Sequence, residues 1–243
     1  MKKIVFADIG NTRIKIFDGI EFLSCSYNEN DLLNLKSYLF NNSIEKIYYS
    51  SVNAQAEFKI RELVDIDITD ISEIISNQKI VNFDKISGMG VDRKLSLFGA
   101  ISKSLPPIIT IDCGTAITIN VLNANYECEG GVIFPGIALQ ERALKEMTSG
   151  LKNFELVQTK ESTGKNTSEA ISSGIFNGIA NAVSGLLLDI IAEKFNNQNV
   201  NIFLTGGSSV LILPLIKSKF EYIYEEKLNI LGMMYLVNKS GLI

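Results

Sequence analysis

Apolar residues in this chain come in short runs punctuated by glycine, asparagine and aspartate, and between the runs they recur at helical spacing. The pattern predicts a strand from Lys3 to Ala7, a turn at Asp8-Ile9-Gly10-Asn11-Thr12, and a second strand from Arg13 to Phe17, after which Asp18-Gly19 closes another hairpin. A third strand is expected through Phe22 to Tyr27. Asp31 is then placed to cap a helix that turns Leu32, Leu35 and Leu39 toward the core. Lys46 to Ser51 reads as a strand, Glu57 to Val64 as a short helix, and Asp65 to Ser87 as short strands and loops. Arg93 to Leu105 reads as an amphipathic helix stopped by Pro106-Pro107.

After the prolines the pattern restarts. A strand from Ile108 to Ile111 leads into Asp112-Cys113-Gly114-Thr115-Ala116 and a strand from Ile117 to Leu122. Helices are expected near Gly136 to Thr148 and Ser168 to Phe195, a strand at Val200 to Thr205, and helices near Ser209 to Lys219 and Leu228 to Asn238. Laying Asp8 to Ile16 on Asp112 to Asn120 matches an Asp-x-Gly turn together with both flanking strands. The expected fold class is therefore α/β with an internal duplication, in halves 1–107 and 108–243.

Composition narrows the chemistry. With 243 residues, 46% of them apolar, the chain can fill a substantial core, which excludes intrinsic disorder. A formal charge of -4 without a basic block gives no footprint for a nucleic-acid backbone, so no nucleic-acid partner is expected. The apolar run after Lys2 and Lys3 is broken at Asp8, unlike a signal peptide, and no stretch is expected to span a membrane; the expected location is the cytoplasm. Cys25, Cys113 and Cys128 form no CxxC pair, and the chain has no histidine, which excludes the usual zinc sites. Without imidazole, a proton acceptor working near neutral pH is a carboxylate or, less often, a lysine. Cys113 reads as a small buried strand residue.

Neither GxxxxGK[ST] nor GxGxxG occurs, and both acidic turns lie within hairpins rather than between a strand and a helix. Such turns suit phosphate. Gly10 and Gly114 allow backbone N–H groups to approach phosphate oxygens, Asn11, Thr12 and Thr115 add side-chain donors, and Lys15 adds positive charge. Asp8 is suited to hold a hydrated Mg²⁺. The alternative is that both are tight hairpins without a ligand. A third turn, Leu204-Thr205-Gly206-Gly207-Ser208-Ser209, follows a buried strand and suits a nucleoside, although a plain strand-to-helix connector has the same pattern.

Taken in order, Asp8-Ile9-Gly10-Asn11-Thr12-Arg13-Ile14-Lys15, Gly90-Val91-Asp92-Arg93, Asp112-Cys113-Gly114-Thr115-Ala116, Gly130-Gly131-Val132-Ile133-Phe134-Pro135-Gly136 and Thr205-Gly206-Gly207 resemble the type III pantothenate kinases. The resemblance implies the superfold of acetate and sugar kinases, heat-shock chaperones and actin, with two ribonuclease-H-like halves and ATP between them. It also implies ATP-dependent phosphorylation of pantothenate, the first step of coenzyme A synthesis. In that scheme Asp92 accepts the proton of the pantothenate hydroxyl, and Gly90, Val91, Arg93, Phe83 and Thr167 belong to the substrate site. Asp8 to Lys15 form the first ATP-phosphate loop, Thr115 gives a second ATP contact, Gly206 and Gly207 hold the nucleoside, and Asp112 binds an activating K⁺ or NH₄⁺. Similar proteins are homodimers, and the helices after Pro135 are the expected interface. Thr167 reads equally as a helix cap. The sequence departs from the family at Phe83, where a tyrosine is usual, at Ile86 in place of a proline, and at Lys94 in place of a tryptophan. Two other functions stay open: a kinase for another small metabolite, and a nucleotide-binding regulatory protein that would not need Asp92.

Overall fold

Two five-stranded sheets organise the chain, and the strand order of one repeats that of the other. The structure is a computed structural model and describes residues 3–216 and 220–242. The first sheet has the order β3-β2-β1-β4-β5, built from β1 (Ile4–Ile9), β2 (Ile14–Phe17), β3 (Phe22–Cys25), β4 (Lys46–Ser51) and β5 (Asp67–Asp70). β1 pairs antiparallel with β2 and parallel with β4, so it is central, and since Val5, Phe6, Ala7 and Ile9 are all buried both of its faces are covered, which is why its residues other than Asp8 are apolar. The helices α1 (Glu29–Asn41), α2 (Ala54–Leu63), α3 (Ile71–Asn77) and α4 (Val91–Ile101) complete this part of the chain.

The second sheet has the order β10-β9-β6-β7-β8, with β6 (Ile108–Cys113), β7 (Ala116–Leu122), β8 (Cys128–Pro135), β9 (Asn201–Thr205) and β10 (Tyr222–Tyr224). β6 stands where β1 stands, antiparallel to β7 and parallel to β9. Its helices are α5 (Ile137–Met147), α6 (Thr167–Phe195) and the short α7 (Ser209–Ile212), which runs into a 3-10 turn at Leu213–Leu215. The expected helix from Ser209 to Lys219 thus breaks at Pro214, and its last residues, 217–219, lie outside the described residues.

Several expectations need correction. Asn28 caps α1, accepting from the Asp31 N–H at 2.8 Å, because the helix begins ahead of Asp31. The Asp31 carboxylate instead accepts from the Ser26 N–H and hydroxyl. α4 starts at Val91 and ends at Ile101, which puts Asp92 inside its first turn. β8 was hidden by Gly130 and Gly131; Gly130 has φ +98° beside a register shift at Val121/Leu122, a bulge that glycine makes possible. α6 is 29 residues long and, by length and composition, apolar enough to cross a membrane, contrary to expectation. Ile175, Phe176, Ile179, Val183, Leu187, Ile191 and Phe195 form its inner face in the core beneath the second sheet, as expected of a core helix.

The chain divides into two units, residues 1–103 with 227–243, and residues 104–226. The last helix, α8 (Leu228–Lys239), therefore belongs with the first unit rather than with the second half in which the sequence placed it. The reason is a glycine crossing. A Cβ on Gly99 of α4 would lie 1.9 Å from the Leu228 carbonyl oxygen, and one on Gly232 of α8 would lie 2.1 Å from that of Leu95. The two backbones touch because neither helix carries a side chain at the crossing.

Candidate active site

The first acidic turn leaves β1 at Asp8 and returns at Lys15, which pair in register across the hairpin. Its neck is closed by the Gly10 N–H donating to the Arg13 carbonyl at 3.0 Å, and the Tyr27 hydroxyl braces it by donating to the Gly10 carbonyl. Burial and the neighbouring Asp8 charge push the Tyr27 hydroxyl up to about 12, so it stays a donor at working pH. Asn11, Thr12 and Arg13 are exposed at the tip.

Asp8 itself is tied down from two sides. The Ser50 hydroxyl of β4 donates to its Oδ1 at 2.9 Å, and Asn229 Nδ2 of α8 approaches its Oδ2 at 3.5 Å. Burial raises its pKa, against the lowering effects of Ser50, Lys15 and Asn229, and the charge of Asp92 raises it further. Asp92 is thus near enough for the two carboxylates to sense each other. It lies in the first turn of α4, whose N-cap is Gly90, and a Cβ on Gly90 would sit 2.6 Å from the Asp92 Oδ1. The carboxylate therefore lies back over a residue that has no side chain.

Phe83 packs edge-on against Phe98 of α4, with ring centroids 6.1 Å apart, and Lys94 places its Nζ 5.2 Å from the Phe83 centroid. Two of the three departures from the family pattern are therefore in contact with each other. Arg93 and Val91 share the first turn with Asp92.

The second acidic turn is held differently. Its neck closes with the Gly114 N–H donating to the Ala116 carbonyl at 3.2 Å, and the Gly136 N–H donates to the Thr115 carbonyl at 3.0 Å. A Cβ on Gly136 would lie 2.4 Å from the Gly114 carbonyl oxygen; one on Gly206, which has φ +94°, would lie 2.4 Å from Asp112 Oδ1 and 2.5 Å from the Cys113 backbone. Bare backbone thus brackets the turn and Asp112 on two sides. The Ser208 N–H donates to the Cys113 carbonyl at 2.9 Å, folding the Gly206-Gly207 loop over the end of β6; Gly206 is buried and Gly207 exposed. The Cys113 thiol is buried, and burial with the Asp112 charge pushes it up to about 12, as fits an inert core residue.

Thr167 is the first residue of α6, but it is not the cap. Asn166 accepts from the Glu169 N–H at 3.0 Å, and the Glu169 carboxylate accepts from the Lys165 N–H at 2.8 Å. Thr167 is left exposed beside this motif. Sequence reasoning missed Ser50, Tyr27 and Asn229, each an ordinary polar residue in its local pattern.

The sequence model of the type III pantothenate kinases matches residues 4–189. A type III pantothenate kinase of Sulfurihydrogenibium sp. is 34% identical over 252 aligned positions, covering 96% of this chain and 98% of that protein. The chain belongs to the type III pantothenate kinase family. Another pantothenate kinase of this type, from Finegoldia magna, is 29% identical across 74% of the chain and 70% of its own length. Among solved structures, a Campylobacter jejuni protein named for the Baf family of transcriptional activators superposes with a TM-score of 0.64 at 20% identity, covering 98% of this chain and 100% of that one. The activator of 2-hydroxyisocaproyl-CoA dehydratase from Clostridium difficile, with bound ADPNP, gives 0.52 at 13% identity, covering 99% and 97%. At these identities the likeness shows the fold alone, the two five-stranded α/β units described above. For a pantothenate kinase, ATP and a divalent cation are the expected reagents, and the described residues suit the cation. Among them no cluster of three or more acidic or cysteine side chains forms a cage, while Asp8 offers one desolvated carboxylate beside the first acidic turn. Mg²⁺ in kinase sites takes one or two carboxylates and completes its shell with water and phosphate.

Proposed function

We propose that the chain carries out the reaction of its family, ATP-dependent phosphorylation of pantothenate at the entry to coenzyme A synthesis, with Asp92 as the general base. The reaction follows from family membership; the observation that supports the assignment of Asp92 is its place in the first turn of α4, within electrostatic range of Asp8. Asp92 takes the proton from the primary hydroxyl of pantothenate as that oxygen bonds to the γ-phosphorus and the bond to ADP breaks. Asp8 would be the residue to hold the Mg²⁺, which when bound would neutralise charge on the phosphates. In the first unit, Gly10 to Lys15 suit phosphate oxygens; in the second, taken by itself, Thr115 suits a phosphate contact and Gly206 and Gly207 a nucleoside.

In the first unit Gly90, Val91, Arg93 and Phe83 border the pantothenate, the Phe83 ring carrying Lys94 on its face where a tyrosine and a tryptophan are usual in the family; in the second unit the exposed Thr167 suits a pantothenate contact by the family pattern. Asp112, a single carboxylate on a strand end rich in carbonyls, suits K⁺ or NH₄⁺. A homodimer through α5 is supported by exposed apolar side chains there and on β8, including Ile133 at 58% and Met147 at 85% exposure. The same reading has the enzyme in the cytoplasm, with α6 serving as a core helix.

The test is turnover of pantothenate with Mg²⁺·ATP, with and without K⁺ or NH₄⁺, in the wild type and Asp92→Asn. Loss of roughly 10²- to 10⁴-fold in kcat with unchanged ATP binding and circular dichroism is expected. Full turnover in Asp92→Asn would remove the base assignment. ATP binding without pantothenate turnover would favour another substrate or a regulatory role.

A further inference from the structure

Asn229 is a polar residue at the first acidic turn that the chemistry above does not use. It lies in the first turn of α8, and its Nδ2 approaches Asp8 Oδ2 at 3.5 Å. As placed, the amide turns Nδ2 toward Asp8 and leaves Oδ1 directed elsewhere. The amide oxygen pays for this contact: Asn229 Oδ1 is buried and has no hydrogen-bond partner among the described residues. A buried acceptor without a donor is destabilising, and native proteins seldom keep one without a use for it.

Its surroundings indicate what the donor is. Asp8 is desolvated, with the Lys15 charge and, more weakly, that of Asp92 in range, and the polar atoms of Ser50 and Asn229 turned to it, a setting in which a cation with its water shell would find both a carboxylate and an acceptor. Four elements converge there: β1 with Asp8, β4 with Ser50, α4 with Asp92 and α8 with Asn229. The Gly99–Gly232 crossing fixes α8 against α4, so Asn229 is held by backbone contact rather than by a mobile loop.

We propose that Asn229 is a positioning residue for the divalent cation of the kinase reaction, steadying Asp8 through Nδ2 and accepting a hydrogen bond from cation-bound water at Oδ1. The proposal rests on the assignment of Asp8 to that cation. An outer partner of this kind is worth about 10- to 100-fold in metal affinity.

Calorimetric titration with ADP, once with Mg²⁺ and once with chelator, reads the cation's contribution as the ratio of the two affinities. In Asn229→Ala that ratio should fall about tenfold, while binding of metal-free ADP stays unchanged and the melting temperature equals or exceeds that of the wild type. Asn229→Leu, which preserves volume, gives the same readout if the alanine variant folds poorly. An unchanged ratio in a folded Asn229 variant overturns the proposal, and a lower melting temperature with that unchanged ratio makes Asn229 structural. Asp8→Asn separates the layers: if it too leaves the ratio unchanged, the assignment of Asp8 fails first; if it abolishes the ratio while Asn229→Ala does not, only the role of Asn229 falls.

Discussion

The two acidic turns share a topology and differ in how they are held. In the first unit Asp8 is positioned by side chains, Ser50 from β4 and Asn229 from α8, and the turn is braced by the Tyr27 hydroxyl. In the second, Asp112 and its turn are enclosed by bare backbone, with Gly136 and Gly206 pressed against them. A duplicated hairpin thus arrives at the same carboxylate position by two routes. Polar ties can be retuned one side chain at a time, whereas close backbone packing tolerates no added atom.

The largest effect should expose that intolerance. Gly206→Ala forces φ +94° on a residue with a side chain and drives its Cβ into Asp112 and Cys113, so a loss of about 3 kcal/mol in denaturant unfolding is expected. Gly207→Ala, with open space around its Cβ, should stay within about 0.5 kcal/mol. Gly10→Ala meets only the Arg13 carbonyl at 3.2 Å and has no positive φ to keep, so it should stay within about 1 kcal/mol of the wild type. If Gly10→Ala destabilised as much as Gly206→Ala, the contrast between the turns would collapse.

Next in size is Asp8→Asn, which removes a desolvated charge facing Asp92. Stability should rise by on the order of 1 kcal/mol while kinase turnover falls, as expected for a site that gives up stability for function. Acid titration sharpens the point. Because the folded-state pKa of Asp8 is raised above 3.8, the folded wild type takes up a proton before the unfolded chain does. Relative to Asp8→Asn, the wild type should therefore gain stability as pH falls from above that raised pKa toward 3.8, and no further below it. A parallel pH dependence in the two proteins would show that Asp8 is not strained.

The smallest effect concerns Phe83 and Lys94 of the first unit, proposed above to border the pantothenate. Lys94→Ala removes the ammonium from the face of Phe83, a contact worth roughly 0.5–1 kcal/mol. The KM for pantothenate should shift about two- to fivefold by that energy, with the KM for ATP unchanged. An equal shift in both would move Lys94 out of the pantothenate wall.

The duplication was legible because each acidic turn interrupts two strongly β runs, a pattern that local sequence carries by itself. β8 was not, since Gly130 and Gly131 read as a turn until the bulge they permit is seen. The cap of α6 was displaced by one residue, because asparagine and threonine stand side by side and both can cap. Asn229 gave no signal at all: a lone asparagine on an amphipathic helix looks like a surface residue, and its partner lies 221 positions away in the chain. The placement of α8 failed for the same reason. Gly99 and Gly232 read separately as helix weakeners, and only their crossing explains them.

That crossing also sets an order of assembly. Residues 104–226 form one continuous stretch, whereas the first unit takes its last helix from residues after 227. During synthesis the second unit has all its residues in hand while the first, begun earlier, still lacks the helix that covers α4. On the ribosome, the half that starts first is finished last.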